Sequence, residues 1–192
     1  MIVGIDLAGS EKRDTGFCVI TDKLAKVQIL NTNEQIIEKI TELADLIRIV
    51  CIDAPLTLPS GRISLEENNG IHFRQCDLEL RKLGIRFFPI TLGPMRMLTK
   101  RGMFLKEEIL KINPKIKVIE VYPGASYDIF KVNRKDEKQI IKWIKSFVEI
   151  KDLAYTQDEL DGICCAITGK LYLEGKARGI GNDDGKIIIP II

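Results

Sequence analysis

Three aspartates set the chemistry this chain could perform. Asp6 interrupts the apolar run Ile2-Val3-Gly4-Ile5 and is followed at once by small residues, Ala8, Gly9 and Ser10. Asp53 repeats the arrangement: Ile49-Val50-Cys51-Ile52, a carboxylate, then a break at Ala54-Pro55. Asp161 flanks the apolar stripe of a predicted helix, with Asp158 one turn earlier. A carboxylate inside an apolar strand is costly unless it is paired or holds a metal. At a strand end, opening onto a loop, it sits where α/β proteins place their sites. Carboxylates gathered without a counter-charge call for a hard cation, Mg²⁺ or Mn²⁺. A carboxylate set without histidine suits two-metal phosphodiester hydrolysis, in which one ion acidifies the attacking water and the other stabilises the leaving oxygen. The expected metal ligands and catalytic residues are therefore Asp6, Asp53 and Asp161, with Glu120 and Asp158 as further catalytic candidates.

Other chemistries find little support. His72 is the only histidine, which argues against zinc and against a His-dependent nucleophile unless His72 is the base. The five cysteines lack C-x-x-C spacing, and three sit in apolar runs as core residues. No apolar window approaches the roughly 18 residues that would span a bilayer, and no signal peptide is evident, so the cytoplasm is the expected location. Hydrophobic and charged fractions of 45% and 29% are those of a globular protein.

The elements that must position the acids follow from periodicity. Thr15–Thr21 and Lys26–Leu30 read as strands joined in a hairpin. Glu34–Leu46 reads as a helix capped from Asn31-Thr32-Asn33, with Glu34, Glu38 and Glu42 on its outer face. Ile49–Asp53 has the little polarity of a parallel strand covered on both faces, and Lys117–Val121 is another strand, with Glu120 inside it. Asp136–Glu149 reads as a helix, and Thr156-Gln157-Asp158-Glu159 as a capping box opening a helix to about Glu174. Lys186–Ile192 reads as a last strand, interrupted by Pro190. If the first and fourth strands are parallel neighbours, Asp6 and Asp53 come within several ångströms.

Between about 56 and 117 the pattern is irregular, with helices at Gln75–Leu83 and Met95–Ile112. Arg62 to Lys117 carries twelve Lys/Arg against six Asp/Glu, a net of +6, leaving −4 elsewhere, a segregation that the total of +2 hides. Arg74, Arg81, Arg96, Lys100 and Arg101 are the expected phosphate contacts of this segment, and nucleic acid the expected partner. No membrane partner is expected, and nothing sets the oligomeric state, a homodimer included.

The chain resembles the predicted RNase H-like nucleases of family 429 of domains of unknown function. The resemblance lies in Gly4-Ile5-Asp6-Leu7-Ala8, Ile52-Asp53-Ala54-Pro55-Leu56, Arg74-Gln75-Cys76-Asp77, Glu120-Val121-Tyr122-Pro123, Asp158-Glu159-Leu160-Asp161-Gly162 and Gly185–Pro190. More distantly, Gly4-Ile5-Asp6 with a final-helix D-x-x-D resembles Holliday-junction resolvases. The resemblance implies one α/β domain over 1–192. Its mixed sheet would be RNase H-like: antiparallel across the first three strands, parallel from first to fourth to fifth, flanked by helices, with a helical, net-basic insertion at about 56–117. It also implies nuclease activity. RNase H enzymes carry a glutamate on the first helix. Here those glutamates face outward, leaving that role to Glu120 or Asp158. Two alternatives stand beside the nuclease. One is a phosphate- or nucleotide-binding relative of the actin-like ATPases, since Gly4-Ile5-Asp6-Leu7-Ala8-Gly9-Ser10 also resembles their first phosphate loop. The other is a non-catalytic binding module on the same scaffold.

Overall fold

A computed structural model describes all 192 residues. The first apolar run forms β1 (Ile2–Asp6), and the predicted hairpin forms β2 (Thr15–Thr21) and β3 (Leu24–Leu30). The hairpin turn is tighter than expected, only Asp22 and Lys23, with Asp22 in the left-handed region at φ 54°. Next come α1 (Asn33–Leu43), capped by Thr32, and β4 (Ile49–Asp53). The segment that follows contributes α2 (Gln75–Lys82) and α3 (Gly93–Ile112), before β5 (Lys117–Val121). The remainder supplies α4 (Pro123–Ile129), α5 (Glu137–Ile144), α6 (Gln157–Leu173), β6 (Ala177–Asn182) and β7 (Gly185–Pro190).

The seven strands form one sheet in the order β3-β2-β1-β4-β5-β7-β6. Pairing is antiparallel across β1-β2-β3 and parallel across β1-β4-β5, the mixed sheet expected from the sequence. Three features differ from expectation. Helix α4, absent from the sequence reading, opens at Pro123, since proline is well placed at a helix start, where its missing N–H has no partner to lose. The helix expected to reach Glu149 ends at Ile144, and Glu149 instead donates its N–H to Lys23 O and accepts from Ala25 N. The last strand ends at Pro190, short of the expected Ile192, and Pro190 stands opposite Ala177 of β6, a glycine-rich edge strand absent from the sequence reading.

Alternation along the strands sends side chains into two cores. Val3 and Ile5 of β1, with Val50 and Ile52 of β4, pack with α1 and α3. Ile49 and Cys51 pack on the opposite face, under α5 and α6. Because strand side chains alternate with period two, Asp6 follows Gly4, and Asp53 follows Cys51, onto the face that α6 covers. All five cysteines are buried and unpaired. No helix is long and apolar enough to cross a membrane.

Helix α6 lies unusually close to that face. A Cβ on Gly4 would stand 2.3 Å from Ala166 N and Gly162 O. One on Gly162 would stand 2.8 Å from Gly16 O of β2. Bare backbone on both sides lets the helix start settle onto the strand ends, which carries Asp158 and Asp161 to the mouth of the sheet.

Candidate carboxylate centre

Asp6 and Asp53 are direct partners in the parallel register of β1 and β4. Their carboxyls interact directly, in a sense that favours the protonated form of Asp6 and the charged form of Asp53. Burial, then the charges of Asp53, Asp161 and Asp158, hold the Asp6 carboxyl well above the ordinary carboxylate range. Burial, then Asp161 and Glu120, raise Asp53 as well. Asp161 is raised by burial, although Gln157 Nε2 and the Tyr127 hydroxyl donate to its Oδ1 at 2.9 and 2.8 Å and favour its charged form. Burial keeps Tyr127 protonated and so a donor. Asp158, raised by partial burial, lines with Asp6 a cleft of about 550 Å³ whose walls include Lys12, Arg13, Pro94 and Met95. None of Asp6, Asp53, Asp158 and Asp161 belongs to a salt bridge.

Such a set has the chemistry of a hard-cation site: desolvated, like-charged oxygen donors with no counter-ion paired to them. It is not pre-set. No group of three or more acidic, histidine or cysteine side chains converges on one point as a metal requires. Tyr127 and Gln157 both hold the Oδ1 of Asp161.

Glu120 stands apart from this group, and pleat parity is the reason. Its register partner is Ile52, on the face opposite Asp53. Both its oxygens accept from Arg74, Nη1 at 2.6 Å and Nη2 at 2.7 Å, and Oε2 also accepts from Leu56 N at 2.9 Å. Asp77 holds the same guanidinium from α2. Glu120 is thus held in this ion network on the other side of the sheet, although its negative charge still reaches Asp53.

The expected phosphate contacts also divide. Arg74, only 1% exposed, is closed inside this ion network and cannot meet a phosphate. Arg101, 6% exposed, reaches from α3 to Ala8 O at 2.8 Å and Asn33 Oδ1 at 2.7 Å, and also donates to the carbonyls of Ser10 and Asn31. It pins the loop that follows Asp6 rather than facing solvent. Arg62, a third buried arginine, ties together the loop from Ser64 to Ile71. Arg96 and Lys100 are exposed and share Glu66. Arg81 is exposed on α2. The +6 of this segment therefore overstates its outward charge. Lys12, Arg13 and Arg134 were missed. Lys12 and Arg13 directly follow the Asp6 loop, a proximity visible in the sequence; Arg134, which acts on Asp53 and Asp161, gave no such signal.

Arg101→Met is expected to lower stability by about 2 kcal/mol or more, because several buried carbonyls lose their donor. Arg101→Lys should recover only part, since an ammonium lacks the planar fork. Urea denaturation of the three proteins reads this directly.

A family model described as "Protein of unknown function (DUF429)" matches residues 4–185. No curated protein matches the chain. Among solved structures, T. thermophilus RuvC in complex with Holliday junction substrate is similar at 13% identity and a TM-score of 0.49, over 90% of this chain and 94% of that one. The structure titled Thermus thermophilus RuvC is similar at 10% identity and a TM-score of 0.48, over 91% and 96% of the two chains.

Proposed function

We propose that this chain, which belongs to the DUF429 family, is a divalent-metal-dependent hydrolase acting on phosphodiester bonds of nucleic acid. One observation carries the reading: two carboxylates stand opposite each other at the ends of adjacent parallel strands, on the face of α6, with no cation paired to them. A folded protein maintains that repulsion at a cost unless a ligand relieves it. Asp6, Asp53 and Asp161 would hold Mg²⁺ or Mn²⁺. When bound, the metal would supply Lewis acidity and a water acidic enough to ionise near neutral pH. Tyr127 and Gln157 orient Asp161, and Arg101 fixes the backbone that carries the Asp6 loop. Lys12 and Arg13, on the wall of the cleft, offer charge to a phosphate. Asp158 also lines that cleft and is the second choice after Asp161 for the helix carboxylate.

The test uses single-stranded, duplex and branched DNA and RNA, each with Mn²⁺ or with chelator. Cleavage of at least one of them in Mn²⁺ alone is expected, with a rise in melting temperature as Mn²⁺ approaches millimolar. Absence of both cleavage and melting shift overturns the proposal.

Arg96 and Lys100 lie in one turn of α3, about half exposed, where a backbone phosphate could displace Glu66. Replacing both with alanine should weaken nucleic-acid binding and reduce the slope of log affinity against log salt by about two. An unchanged slope removes this helix from the interface.

A further inference from the structure

A second group of cations lies beyond Asp53. Helix α2 closes on Gly84, at φ 75°, where the N–H groups of Gly84 and Ile85 donate to Arg81 O and Leu80 O, both at 3.0 Å. The chain then passes through Arg86, Phe87 and Phe88 along a pocket of about 550 Å³ that Tyr122 and Arg134 also line. This wall is braced. The Tyr122 hydroxyl donates to Arg86 O at 2.7 Å and accepts from Arg134 Nη1 at 3.3 Å, while Arg134 pairs with Asp128. The Arg81 guanidinium lies over the Phe73 ring, 4.3 Å from its centroid.

Three properties of the pocket remain unused by the folded chain. Neither Arg81 nor Arg86 has a carboxylate within 4.0 Å. Phe88 is 67% exposed and stacks on no other ring of the protein. The pocket also lies at the sheet end that carries Asp53: Tyr122 directly follows β5, the neighbour of β4, and the charge of Arg134 on the pocket wall bears on both Asp53 and Asp161. A flat ring and uncompensated guanidinium groups on a braced backbone match a ligand with a planar face and an anion close together. An acidic peptide would use the cations and leave the ring idle; an apolar partner would bury unpaired charge. A nucleotide satisfies both, provided its base is unpaired, because a duplex keeps its base faces inside the stack.

We infer that the pocket formed by Arg81, Arg86, Phe88, Tyr122 and Arg134 binds one unpaired nucleotide of a single-stranded segment. The base stacks on Phe88, the phosphate meets Arg81 and Arg86, and the strand leads towards Asp53. The inference rests on the nucleic-acid reading above and narrows it to substrates with unpaired bases.

Fluorescence anisotropy with labelled oligothymidylate, in chelator so that nothing is cleaved, tests it. Wild type should bind the oligomer more tightly than a blunt duplex of equal length. Phe88→Ala should weaken binding about tenfold without changing the salt slope, as expected for one stacked base, and Phe88→Trp should retain affinity. Arg86→Ala should weaken binding and flatten the slope by about one. Both side chains are exposed, so unchanged melting temperatures are expected of the variants. Equal affinity for duplex, or indifference of binding to Phe88→Ala and Arg86→Ala, overturns the inference. The two readings fail separately. Phe88-dependent binding without cleavage in Mn²⁺ keeps the pocket and removes the hydrolase. Cleavage with a KM indifferent to both variants keeps the hydrolase and removes the pocket.

Discussion

Asp53→Asn is expected to reduce metal-dependent phosphodiesterase activity by about a thousandfold or more while making the metal-free protein more stable. The loss follows if a carboxylate is what holds the ion: an amide oxygen keeps the shape and forfeits the charge, and electrostatic contributions of this kind are among the largest in catalysis. The gain follows from desolvation and repulsion. Burial and neighbouring acids raise both Asp6 and Asp53, so folding carries two carboxyls into a place where only one ionises readily. An asparagine amide can donate to Asp6 with no borrowed proton, leaving a single charge. The pH dependence has a definite sign. The unfolded carboxyls titrate near 4. The folded pair holds its proton to higher pH, so the folded state binds more protons than the unfolded one in that interval. In chelator, wild-type stability is therefore full below about pH 4 and declines as pH rises through the folded value. Asp53→Asn should flatten that decline and suppress the Mn²⁺-induced melting shift. Thermal melts from pH 4 to 8, with and without Mn²⁺, measure all of this. A variant that loses activity and also melts lower in chelator at neutral pH would mark Asp53 as structural.

Arg74→Met should cost about 3–5 kcal/mol, because it leaves Asp77 and Glu120 buried without their only cation. The damage spreads beyond the pair. Leu56 N donates to Glu120, so the chain leaving Asp53 is anchored by the same network. Replacing all three, as Arg74→Met with Asp77→Leu and Glu120→Leu, should restore part of the loss, since an apolar cluster of similar volume leaves no charge unpaired. Urea midpoints of the single and triple variants decide this. Glu120→Gln offers a separate check. It should destabilise the protein yet leave turnover measurable, whereas Asp53→Asn should not. Loss of turnover without loss of stability would return Glu120 to the chemistry.

Much of the site was readable because strand chemistry is local. An apolar run ending in Asp and then a break announced both Asp6 and Asp53, and the parallel register brought them together. The last helix was equally plain from its capping box. That Glu120 lies on the opposite face from Asp53 was not legible, because a strand side chain's face depends on parity relative to its neighbours, which one strand alone does not reveal. Arg74 and Arg101 misled for another reason: composition counts charge, and burial of a guanidinium is decided by partners as distant in sequence as Glu120 and Ala8. β6 escaped notice because Arg178-Gly179-Ile180-Gly181 has little strand propensity, and its pairing with β7 alone makes it a strand. That the residue after Asp161 must be glycine follows only from the approach of Gly16, which no local pattern encodes.

The close seat of α6 on β1 also bears on how the protein is made. Asp6 leaves the ribosome long before Asp161, and the sheet face beneath Gly4 stays uncovered until α6 is synthesised. Contacts of such long separation form late. A nascent chain would thus hold Asp6 and Asp53 for some time before Asp161 can join them. Any product released before α6 would lack the helix carboxylates and, with its apolar face bare, be open to proteolysis. If the proposed hydrolase reading holds, activity would wait on the last helix and need no inhibitor until then.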